Sequence, residues 1–161
     1  MGERQADSLL FHAHISGVPT VILVHSCASH NFQSKSLAMM ANVDITPTKP
    51  FGIKFGDGHM IVSQGICWKV EDSLENFVIT VDAYVFDVGG PDMVLGMKWL
   101  KSLGNVMTNW CQRTMEIPWE REEIRLQGIM DQTQLASWEQ LRGQKEDKFG
   151  GLAMENRFVN T

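Results

Sequence analysis

The chain has 161 residues, 43% of them hydrophobic and 20% charged, with a formal net charge of -5. That length suits one domain with a sizeable core and room for a tail. The acidic balance, with no Lys/Arg cluster, argues against a phosphate-tracking surface, so no nucleic-acid partner is expected.

Three cysteines, Cys27, Cys67 and Cys111, are odd in number and widely spaced. They form neither a disulfide framework nor a Cys-x-x-Cys metal knuckle, and they suit a reducing, cytoplasmic compartment. The start Met1-Gly2 resembles a myristoylation site, but Ala6 stands where Ser or Thr is needed. The N-terminal residues lack the apolar core of a secretion signal, and no apolar run approaches a membrane span. The ten methionines are expected to fill core gaps.

Residues 1–8 are polar and read as a disordered arm. From Leu9 to Ser16 the apolar Phe11, Ala13 and Ile15 alternate with His12 and His14, which predicts a strand with both histidines facing solvent. Gly17-Val18-Pro19 reads as a turn. Thr20 to Val24 is apolar and β-branched, as in a strand buried on both faces. After a small-residue loop, Phe32, Leu37, Met40 and Ala41 predict a helix over Asn31–Asn42, capped by Ser29 or Asn31.

Pro47 and Pro50 are expected to break the chain. Phe51–Phe55 and Met60–Ile66 read as strands flanking the hairpin turn Gly56-Asp57-Gly58, where Asp57 is a turn former. Asn76–Phe86 alternates as a strand. Met93-Val94-Leu95 is an apolar run closed by Gly96, and Met97–Leu103 suits a short helix ending at Gly104. Val106–Trp110, Thr114–Pro118 and Glu123–Leu126 read as short strands. So many short strands with close turns predict an all-β, barrel-like domain over 9–128, with one or two short helices. Residues 129–161 lose periodicity and read as a polar tail or linker. Tryptophans such as Trp99 and Trp110 are expected as core or interface anchors.

Three ordered segments carry a resemblance. They are Leu23 to Phe32, Phe55-Gly56-Asp57-Gly58-His59, and Asp92-Met-Val-Leu-Gly-Met-Lys-Trp-Leu100, followed by Ser102-Leu-Gly104 and Asn109-Trp110. From about Leu9 to Gly128 the chain resembles the retropepsin-like aspartic protease domain of plant Ty3/gypsy-type retrotransposon polyproteins. The resemblance implies a closed pepsin-like barrel with one lobe per chain, in a homodimer where each copy supplies one aspartate. Two such carboxylates share a proton and activate a water, one accepting a proton while the other donates. It also implies a flap at Gly56, Asp57 and Gly58, and active-site support from Val94, Leu95 and Gly96. An extended peptide would be the ligand. Neither metal nor cofactor is implied.

The catalytic motif departs from the family pattern Asp-Ser/Thr-Gly-Ala. His25 replaces the acid and Cys27 the glycine, while Ser26 and Ala28 conform. An imidazole is largely uncharged at neutral pH and cannot form the shared-proton carboxylate pair. A Cβ at Cys27 is expected to clash or to alter the loop dihedrals. Two other Asp-Ser pairs, Asp7-Ser8 and Asp72-Ser73, are both followed by Leu, so no second motif exists. A zinc site from His25, Cys27 and His30 matches no standard spacing. Nucleophilic catalysis by Cys27 needs a poised base and an oxyanion hole that neighbours on one loop rarely provide. The expectation is a catalytically inactive domain, with a peptide- or protein-binding module as the alternative.

Overall fold

The computed structural model describes residues 8–54, 60–86 and 91–130. Ten strands and two short helices follow in order: β1 (Ser8–Ile15), β2 (Val18–His25), β3 (Phe32–Ser34), α1 (Lys35–Met40), β4 (Thr46–Lys54), β5 (Met60–Leu74), β6 (Phe77–Phe86), β7 (Met93–Leu95), α2 (Met97–Leu103), β8 (Met107–Asn109), β9 (Thr114–Trp119) and β10 (Glu122–Gln127). The predominantly β architecture expected from the pattern is the one observed.

Seven strands form one sheet in the order β1-β2-β7-β3-β6-β5-β4. The long β5 pairs with β6 along one edge; along the other it meets β4 and then, through His14↔Ser73, β1. The pairings therefore run in a ring from β1 through β2, β7, β3, β6 and β5 back to β1. A second sheet, β10-β9-β8, lies beside it.

Alternation explains the main core. Leu9, Phe11, Ala13 and Ile15 of β1 point inward, as do Phe77, Ile79, Val81 and Ala83 of β6. Ile22, Leu37, Leu74, Met93, Leu95, Ile117 and Leu126 complete it, so the small sheet and α1 share the core of the ring. A smaller cluster of Ala28, Phe32, Phe86 and Val94 gathers on the other side of β3 and β7, with Leu23, Phe51, Ile61 and Tyr84 half-buried around it.

Several local expectations are corrected. The β1–β2 turn is Ser16-Gly17, at φ of 51° and 79°, as a two-residue hairpin requires. Pro19 lies within β2 opposite His14. The helix expected over Asn31–Asn42 is divided: Phe32–Ser34 pairs with both β6 and β7, and only Lys35–Met40 is helical. Ser34, not Ser29 or Asn31, is the cap, its Oγ accepting from Leu37 N at 3.1 Å. Pro47 and Pro50 do not break the chain but sit in β4, around a shift of register against β5.

His12 is half-buried while His14 is exposed, so they do not share one environment. Among the tryptophans, Trp99 is buried but Trp68, Trp110 and Trp119 are about half exposed. The packed chain includes Ser8 at one end and Ile129 at the other. Ile129 is buried and donates its amide to the Leu10 carbonyl at 2.8 Å. Among the described residues no helix is long and apolar enough to cross a membrane.

Candidate functional site

The site begins where β2 ends at His25. β7 is inserted between β2 and β3: Leu23↔Val94 and Val24↔Leu95 are parallel, Phe32↔Val94 is antiparallel. The loop from Ser26 to Asn31 therefore has to arch over the end of β7 to reach β3. Val94 and Leu95 are buried beneath it, and Gly96 lies directly under its backbone.

That crossing explains the glycine. A Cβ on Gly96 would collide with the carbonyl oxygens of Ala28 and His30. The loop is pinned from both ends. Ala28 N donates to His25 O at 3.1 Å, and Met97 N donates to Ala28 O at 2.7 Å. Gly96 N donates to Asn31 Oδ1 at 3.0 Å, while Asn31 Nδ2 donates to Asp82 O at 3.2 Å. The start of β7 is tied in the same manner: Val21 N donates to Asp92 Oδ2 at 2.8 Å, and Ser34 N to Asp92 O at 2.8 Å.

His25 is half-buried, and its Nδ1 is enclosed without a hydrogen-bond partner. Ser26 and Cys27 are exposed and Ala28 is buried. Cys27 is not among the described residues with positive φ, so its Cβ is carried without left-handed backbone. His30 enters an aromatic cluster. Its ring meets Phe51 and Tyr84 edge-on, with centroids 5.4 and 5.7 Å away, while Phe51 and Tyr84 stack at 4.7 Å. Burial, and then the nearby Lys98 charge, lower the His30 pKa.

Among the described residues no three His, Cys, Asp or Glu side chains are grouped so as to hold a metal ion. The loop thus offers an imidazole, a hydroxyl and a thiol, with no carboxylate on its own segment. The β4–β5 pairing runs to Lys54↔Met60. The turn it implies, with Gly56, Asp57 and Gly58, lies outside the described residues.

Sequence reasoning singled out His25, Val94, Leu95 and Gly96 but not Asn31, Asp92 or the aromatic partners of His30. An Asn buried beside Phe32, and an Asp opening an apolar triplet, were the available signals: buried polar side chains need partners.

A family model described as retroviral aspartyl protease matches residues 3–123 of the chain. No curated protein sequence matches it. Among solved structures, it is similar to the retroviral protease-like domain of Ddi1 from Leishmania major. That likeness has a TM-score of 0.57 and 19% identity, covering 76% of this chain and 94% of the other. It shows the fold: a retropepsin-like lobe.

Proposed function

The chain belongs to the retroviral aspartyl protease family, and we propose that it is a retropepsin-like domain of retroelement origin that does not hydrolyse peptides. One observation carries this reading: His25 occupies the loop that Gly96 and Asn31 support, where the chemistry of the family needs a carboxylate. Peptide hydrolysis by two carboxylates requires one to take a proton from water while its partner protonates the carbonyl oxygen. An imidazole in each of two copies supplies neither the shared proton nor the acid-range negative charge. Cys27 adds a side chain on the exposed side of the loop, where a substrate backbone would approach.

In this reading two copies pair through their terminal segments, as the family implies, and bring two His25 side chains together. Cys27, Cys67 and Cys111 form no disulfide with one another, which supports a reducing, intracellular setting. The half-buried Leu23, Phe51, Ile61 and Tyr84 border the loop and leave an apolar floor.

The deciding experiment is a cleavage assay of the purified full chain on a diverse peptide mixture from pH 3 to 7.5. No turnover above a blank is expected. Turnover that follows the unaltered chain through purification and is blocked by a transition-state mimic of aspartic proteases overturns the proposal.

A further inference from the structure

The ring of strands is closed between β1 and β5 by one bridge, His14↔Ser73, whereas seven residue pairs join β5 to β6. Beside that bridge, turned into the core, stands Asp72. It alternates with Val70 and Leu74, lies across from Ile79 on β6, and has no exposed surface. Neither carboxyl oxygen has a hydrogen-bond partner. Clefts flank the seam on both sides. One of about 310 Å³ is lined by His12, Leu74 and Leu126, and one of about 450 Å³ by Ile15, Trp68 and Ser73.

We propose that Asp72 is a proton-operated latch on the β1–β5 seam: the neutral carboxyl keeps the seam shut, and its ionisation opens the seam to water. A charged carboxylate without partners is not tolerated in an apolar interior; it must take a proton or reach solvent. The β5–β6 ladder is extensive, so the single-bridge seam between two clefts is the route of least resistance.

The charged side chains on the flanking strands face solvent instead. On β5, Lys69 and Glu71 are exposed; so are His14 on β1, Glu75 in the β5–β6 turn and Asp82 on β6. Asp82 already accepts from the Lys69 amide at 2.8 Å. His12 is half-buried in the smaller cleft, and burial, followed by the His14 charge, lowers its pKa.

Burial pushes the Asp72 carboxyl up to about 8, from 3.8 for the free group. The closed form therefore keeps a proton that the open form releases. Its advantage is complete below about pH 3.8, declines as pH rises, and is gone above about 8.

The test is hydrogen exchange of the full chain at pH 5, 6, 7 and 8, corrected for intrinsic rates. Opening of β1 and of residues 70–74 should rise about tenfold per pH unit from pH 5 to 7, and less steeply toward 8, relative to β2 and β7. In Asp72→Asn this rise should vanish. An unchanged slope in that variant, or protection lost evenly over the sheet, overturns the proposal. If the variant does not fold, a side-chain carboxyl titration of the unaltered chain by NMR decides. A midpoint above 7 supports the latch, and one near 4 overturns it.

Discussion

Gly96 and Asn31, 65 positions apart in the chain, are joined by a hydrogen bond of 3.0 Å from the glycine amide to the asparagine Oδ1. The bond fastens the arch at His25 to the end of β7, and the Asn31 amide fastens it to β6 as well. Asn31→Ala removes both contacts and leaves a buried amide unsatisfied. A loss of about 2–4 kcal/mol is expected, read as a lowered urea midpoint.

Gly96→Ala tests the crossing itself. Its Cβ meets two backbone carbonyls instead of a movable side chain. The loop must shift or the helix α2 must retreat, and destabilisation of about 3 kcal/mol is expected. Thermal unfolding checks this, and a variant as stable as the parent shows that the loop yields freely.

Restoring the acid should be informative in stages. His25→Asp alone is expected to give little cleavage, and His25→Asp with Cys27→Gly some activity in the acid range. Assays between pH 3 and 6 report it. A folded double variant that remains silent locates further damage elsewhere in the cleft.

Gln33 is fully buried on β3, and both atoms of its side-chain amide lack partners. Its neighbours across the ladder are Val85 and Met93. Gln33→Leu removes an uncompensated desolvation cost, so a gain of about 1–3 kcal/mol is expected by urea unfolding.

The pH profile of stability should be two-sided. His12 and His30 both have lowered pKa values, chiefly through burial. Their contribution is complete above the unfolded value of 6.5 and is lost as pH falls through their folded values. Asp72 acts in the opposite sense. In Asp72→Asn the histidines are left to dominate, so stability measured by urea midpoint should fall from pH 7 to 5, not rise.

Local alternation made β1 and β6 readable, a β-branched apolar run made β2 so, and Met97–Leu103 before Gly104 announced α2. The segment His25-Ser26-Cys27-Ala28 was equally easy to pick out, because a motif of four residues is local. What escaped was set by distant partners. Phe32–Ser34 has helical neighbours yet is drawn into the sheet by β6 and β7 on either side. The roles of Asn31 and Asp92 depend on contacts with Gly96 and Val21, 65 and 71 residues away. Asp72 occupies an inward strand position that patterning assigns to apolar residues, and only the packed ring reveals that its carboxyl is enclosed.

Pro47 and Pro50 lie on β4, which ends the seven-stranded sheet. Neither has a backbone N–H to donate, and the register shift between Pro47 and Phe51, which takes in Pro50, is an irregularity of the kind that twists a strand locally. A neighbouring molecule approaching this border therefore finds a broken row of donors. Prolines and register shifts on a border strand are among the devices that discourage chain-to-chain growth of a sheet, the first step toward cross-β fibres. The same two residues that interrupt a local pattern are thus of the kind that makes a sheet border a poor template for further copies.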